Sequence, residues 1–275
     1  QMESAGPGAM SPSLFMETVA NAHAGQVALA LGARGPNYTV TQREASGLLA
    51  LLRGCELLRH GRARVALAGA VDEMGPVLHA VLGRYGALAR ARNGEEEERA
   101  RPFDARRNGF LAAEGCTILV LEREEGARRR GAPLLARVRA GVRANDPSAR
   151  ATDWGSGGEE LGRALRSGLA ARGVDICSIE GVVSGASGSR QGDRADALAL
   201  RACFGRSLPP IVVPKATVGE YGGGFLAGAM LALAHDYRVM RSDRGYFCLP
   251  EVDIQIPFTP AMTALIQARL SKRAA

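Results

Sequence analysis

Residues 35–74 read GPNYTVTQREASGLLALLRGCELLRHGRARVALAGAVDEM. The run predicts a short strand over 38–41 and a turn at Gln42-Arg43-Glu44. An amphipathic helix follows, with Leu48, Leu49, Leu51, Leu52, Leu57 and Leu58 at its apolar positions. A basic turn over 59–64 ends it and sets cations at the negative end of the helix dipole. Residues 65–70 are apolar on both faces, the pattern of a buried parallel strand. A side chain at a strand-to-helix turn lies at the positive end of the following helix, a common seat for nucleophiles and anions. Glu44 occupies that seat.

Composition bounds what surrounds this unit. With 275 residues, 46% of them hydrophobic, the chain can bury a substantial core in one large or two medium domains. No apolar run reaches the ~18 residues that would span a bilayer, and no signal peptide is read at the start, so a cytoplasmic protein is expected. The five cysteines, at 55, 116, 177, 203 and 248, are scattered and odd in number. That suits reduced thiols better than a disulfide framework or a zinc site, and neither metal nor cofactor is expected. The net charge of +7 comes from dispersed arginines, and aromatics make up only 5%. Both features weigh against nucleic acid and favour an acidic protein partner.

Outward from the central unit, the first ten residues are Gly/Ser/Pro-rich without periodicity. Residues 16–31 have helical spacing and include His23, read as a packed or exposed side chain rather than a catalytic one. A further helix follows Met74, and the charged run 93–101 reads as a solvated loop. Strands are expected over 117–121, 134–142, 179–184 and 211–213, with helices over 159–172 and 193–204. Residues 155–158 read as a flexible break. Cys116 falls within a strand and reads as core.

The run Gln42-Arg43-Glu44-Ala45-Ser46-Gly47 resembles the nucleophile turn of the β-ketoacyl synthases of the thiolase superfamily, roughly Thr-Ala-Cys-Ser-Ser-Gly. The resemblance places Glu44 where that family keeps its acyl-accepting Cys. It extends through Pro102-Phe103-Asp104, where Asp104 and Glu114 match residues that brace a loop. It continues into Val183-Ser184-Gly185-Ala186-Ser187-Gly188-Ser189, aligned with a motif like Asn-Ala-His-Gly-Thr-Ser-Thr. Gly185 there takes the place of the first catalytic His. In the run from Pro214 to Glu220, Lys215 matches the family's lysine and Glu220 replaces the second His. A carboxylate cannot store an acyl chain as a thiolate does.

The resemblance therefore implies a non-condensing subunit of the chain-length-factor type. That subfamily usually carries Gln at the Cys position, so Glu44 departs even from it. The implied partners are an active ketosynthase, in a heterodimer, and an acyl carrier protein, in type II polyketide or fatty-acid-like biosynthesis; an acyl chain or acyl-CoA is a further possible ligand. Lys215 could pair with Glu44 or Glu220, and those two carboxylates would approach one cavity, each raising the other's pKa.

The implied fold is a thiolase-like layered α/β/α arrangement over about residues 5–226, incomplete at its N-terminal side. Its halves would be 1–133 and 134–226, with a tail over 227–275. That tail resembles the crotonase superfamily instead. Asp236, Tyr237, Arg238, Phe247, Pro250 and Glu251 match its pattern, and Met230 stands where hydratases keep a second Glu. In this alternative Glu251 would shuttle a proton in an enoyl-CoA isomerase. A third reading is an inactive thiolase-fold scaffold or fragment.

Overall fold

The computed structural model describes residues 19–91, 97–150 and 153–221. Helix α1, Ala22–Ala30, buries none of its residues. The segment from 35 to 42 has no regular structure, so the strand expected over 38–41 is not formed. Its aromatic residue finds a different partner: the Arg53 guanidinium lies over the Tyr38 ring, 4.4 Å from the centroid.

The turn and helix are where the sequence puts them. A single 3-10 turn, Arg43–Ala45, opens into α2, Ser46–Arg59. The helix closes on its own backbone, the His60 amide donating to the Glu56 carbonyl at 3.0 Å. The basic turn follows, with Gly61 supplying a positive φ of 67°.

Strand β1, Val65–Asp72, corrects the sequence reading in both respects. It pairs antiparallel with β2, Gly115–Glu122, in an unbroken register from Val65 opposite Glu122 to Asp72 opposite Gly115. Only one face is covered. Ala66, Ala68 and Leu121 meet α2 at Gly54, where an added Cβ would lie 2.8 Å from Leu121 Cδ1 and 3.4 Å from Ala68 Cβ. On the other face Val65, Leu67, Val71, Ile118 and Val120 are exposed. The alternation was invisible because both faces carry apolar residues; in β1 small Ala faces the helix and larger Val and Leu face outward. Cys116 belongs to this open face and is exposed rather than core. Partial desolvation raises its thiol pKa, which makes it a poor nucleophile.

Helix α3, Pro76–Arg84, follows β1, and α4, Glu124–Arg129, follows β2. Residues 133–146 are irregular, so the strand expected over 134–142 is absent. The segment joins two helices instead. A Cβ on Gly141 would lie 2.1 Å from Leu52 Cδ2 of α2, and Val142 reaches Gly168 of α5, Gly158–Ala170. Arg143 adds an ion pair to Glu56 of α2.

The expected break over 155–158 is braced rather than loose. Buried Asp146 accepts from Gly157 N at 2.7 Å and from Ser148 N and Oγ at 2.8 and 2.7 Å. Helix α5 then packs on α6, Arg190–Phe204. Glycine makes this crossing close, since a Cβ on Gly162 would fall 2.2 Å from the Ala199 carbonyl oxygen. Two short parallel strands, β3 (Val182–Val183) and β4 (Ile211–Val212), flank α6 in sequence, and α7, Lys215–Val218, follows β4. Both strands are shorter than expected. The Gly-rich run 222–224 and the whole crotonase-like stretch, Glu251 included, lie outside the described residues.

Candidate functional site

Three stretches distant in sequence converge between α6 and the end of α7. The loop 184–189 leads from β3 into α6. Ser184, Ala186, Ser187 and Gly188 are buried and Gly185 is its exposed tip. Its backbone is held by one carboxylate. Asp193, 1% exposed, accepts from Ser187 N at 3.0 Å and from Gly188 N at 3.1 Å. The same Asp193 accepts from Phe103 N at 2.9 Å, tying loop 184–189 to the Pro-Phe-Asp turn.

Phe103 itself has φ of 61°, a left-handed conformation rare outside Gly, Asn and Asp. Next to it Asp104 accepts from Arg106 N and Nε at 2.7 and 3.1 Å. These Arg106 bonds hold its carboxyl down at about 2. Glu114, the other bracing residue expected, accepts from Met74 N at 3.1 Å and ties the end of β1 to the start of β2.

Gly188 is fixed twice more. Its carbonyl accepts from Gly109 N at 3.1 Å, and its φ of +100° is one that side chains avoid. A Cβ there would lie 2.4 Å from the Gly109 carbonyl oxygen. Gly188→Ala should therefore destabilise the fold by about 1–3 kcal/mol from backbone strain, before any clash is counted. Chemical denaturation measures this; an unchanged midpoint and slope would contradict the packing described.

Lys215 begins α7 and is almost wholly buried. Its Nζ lies 2.6 Å from Glu220 Oε1, so of the two partners that the sequence left open Glu220 is the one engaged. Backbone bonds position Glu220 from both sides. Its amide donates to the Leu111 carbonyl at 2.7 Å, and its carbonyl accepts from Ala113 N at 3.2 Å. Burial pushes the Glu220 carboxyl above the ordinary range, the Lys215 charge opposes that rise, and the Glu44 carboxylate adds to it. The nearby Ser187 hydroxyl also opposes the rise. Glu44, in the turn before α2, is thus felt at Glu220.

A second buried acid completes the network. Asp196 of α6 accepts a short hydrogen bond from Ser184 Oγ, which itself accepts from Ala186 N at 3.0 Å. Burial raises the Asp196 carboxyl, Asp193 raises it further, and Lys215 lowers it. Sequence reasoning missed Ser184, Ser187 and Asp196. The only available signal was the polarity of the SGASGS run after an apolar strand. Among the described residues no group of His, Cys, Asp and Glu could hold a metal ion. No described helix is long and apolar enough to cross a membrane.

Among the described residues, the three matched positions bring neither a thiol nor an imidazole to this site. It offers a lysine paired with a carboxyl, a second buried carboxyl and backbone amides already engaged.

Comparison with known proteins identifies the framework. Residues 1–127 match the β-ketoacyl synthase N-terminal domain. The chain is 32% identical over 240 residues to the tetracenomycin polyketide synthase ketoacyl synthase alpha subunit of Streptomyces glaucescens, covering 86% of this chain and 56% of that protein. Among solved structures it superposes on the AntDE:AntF complex, a type II PKS acyl-carrier protein in complex with its ketosynthase bound to the hexaketide. There the TM-score is 0.76 with 26% identity, over 83% of this chain and 57% of the other. The ishigamide ketosynthase/chain length factor gives a TM-score of 0.73 and 28% identity, over 86% and 57%. The fold is thus the thiolase-like fold of the ketosynthases, and the chain is ketosynthase-like. It spans about half the length of the curated relatives it matches.

Proposed function

We propose that this chain is a non-condensing ketosynthase-like subunit of the chain-length-factor type, working beside an active ketosynthase and an acyl carrier protein in type II polyketide biosynthesis. The observation that carries this reading is the buried Lys215–Glu220 pair. At the position matched to the second catalytic His stands an acid already committed to the neighbouring lysine. The other two matched positions hold Glu44 in the turn before α2 and Gly185 at an exposed loop tip. Cys116, a described cysteine on the edge of the same half, is a high-pKa thiol on an open sheet face and no substitute nucleophile.

Surface chemistry supports a protein partner. Helix α1 buries nothing, and its own Leu29, with Leu31 and Tyr38 after it, is exposed. In this reading the segment over 36–40 takes strand form only against a partner, which would also remove an aggregation-prone edge. The test is co-expression with a Cys-containing type II ketosynthase from the same source. A stable heterodimer through this face is expected, weakened when Leu29 and Tyr38 are changed to Glu and Asp. A chain that sediments as a monomer at micromolar concentration, with and without that ketosynthase, would refute the reading.

A further inference from the structure

The arginines behind the net charge of +7 are dispersed in sequence, but the fold collects them. Residues 53–64 and 122–143 together carry eleven arginines and four glutamates, an excess of seven. Of the chain's 35 basic and 28 acidic residues, that leaves 24 of each elsewhere, so the whole net charge belongs to these two stretches. They meet at one end of the β1–β2 pair. The register sets Val65 opposite Glu122, so the turn before β1 and the residues after β2 leave the sheet side by side. Ion pairs tie in the rest: Arg130 reaches back to Glu122, Arg137 to Glu124 of α4, and Arg143 to Glu56 of α2. Two of these glutamates are already shared, Glu56 with Arg53 and Glu124 with Arg128. Arg59, Arg62, Arg64, Arg123, Arg129 and Arg139 are exposed and make no ion pair among the described residues. Arg59 closes α2, whose 14 residues put it roughly 20 Å from the Glu44 turn, so this cluster is separate from the candidate site.

We propose that this arginine-rich end of the β1–β2 pair is a docking surface for an acidic protein face that also carries aliphatic side chains. The partner's carboxylates supply the counter-charge that the six arginines lack, in the forked pairing that suits a guanidinium. Apolar side chains are interleaved with the cations: Leu134, Leu135 and Val138 are exposed around Arg137, and Val65 is exposed beside Arg64. Exposed aliphatics mark a surface that meets protein, and arginine is the charged residue that protein interfaces favour. Neither stretch holds a Phe, Tyr or Trp, the platforms on which single-stranded nucleic acid stacks its bases. A second copy of this chain meeting the face with its own would set one cationic patch against another. The proposal is independent of any pairing with a ketosynthase through the face around α1.

The test titrates the 275-residue chain, at physiological salt, into a labelled synthetic helical peptide of Glu and Leu. Poly-glutamate, double-stranded DNA and vesicles of phosphatidylserine with phosphatidylcholine are the competing probes. The Glu/Leu peptide should bind more tightly than any of the three, and its affinity should fall as salt is raised. Changing Arg62, Arg64 and Arg129 together to Glu should weaken peptide binding at least about tenfold, whereas the same reversal at exposed Arg84, Arg201 and Arg206 should change it less than about twofold. Both triple variants alter the net charge equally, so only a local surface separates them. An unmodified chain that leaves the peptide unbound overturns the proposal, and so does one that prefers poly-glutamate, DNA or the vesicles. These outcomes are read on the unmodified chain and do not depend on a variant folding. Equal losses in the two triple variants would likewise show that bulk charge, and not this face, does the binding.

Discussion

Glu44→Cys is expected to leave the chain unable to join acyl and malonyl groups, with carbon–carbon bond formation below detection. A thiol at position 44 would regain the favourable end of α2, whose free amides lower a thiolate's pKa. It would not regain the donors that hold an enolate once malonyl loses carbon dioxide. Removing one such donor typically costs about 10²–10³ in rate, and two matched positions, Gly185 and Glu220, lack theirs. Nor can the missing His be returned one at a time. In Glu220→His the buried Lys215 loses its carboxylate, and breaking a buried pair costs about 3–5 kcal/mol. The fold would suffer before any chemistry was restored. Radiolabelled malonyl and acyl carrier proteins provide the assay. Labelled β-ketoacyl product from the unmodified chain or from Glu44→Cys would show that the site is not the inert one described.

How far this was legible in sequence depends on what each residue's role requires. The turn and helix from Arg43 to Arg59 were plain, because a helix of this length declares its period through six leucines. The pairing of β1 was not. In VALAGAVD every residue before the last is apolar or Gly, so the alternation between the α2-facing and open faces rests on side-chain size alone. The strand expected over 134–142 failed differently: Gly141 and Val142 pack against Leu52 and Gly168 without a ladder, while Leu134, Leu135 and Val138 stay exposed. Glu44, Gly185, Lys215 and Glu220 could be named because each stands at a spaced motif. The acids that hold the loop could not. Asp196 sits nearly two turns inside an ordinary amphipathic helix, and only the fold brings it to Ser184.

Lys215→Met should be among the most damaging single substitutions in the described residues. Lys215 and Glu220 side chains are 2% and 12% exposed with 2.6 Å between their charged atoms. Removing one partner of such a pair leaves a buried charge uncompensated and costs about 3–5 kcal/mol, a large share of a domain's stability. The loss should depend on pH with a definite sign. Without the Lys215 charge, the Glu220 carboxyl rises further above its already raised position. At acid pH Glu220 is protonated in both folded and unfolded chains, so the penalty is small. As pH climbs past the ordinary carboxylate range, the unfolded chain releases that proton and the folded variant does not. Destabilisation by Lys215→Met therefore grows with pH until the folded-state value is passed. Replacing both residues, as Lys215→Met with Glu220→Leu, removes the orphaned charge and should recover most of the loss and flatten its pH dependence. Urea denaturation of the three variants at acid and neutral pH decides the matter. A single variant as stable as the original chain at neutral pH, or a double variant no better than Lys215→Met, would mean that the pair is solvated and that its geometry does not govern the site.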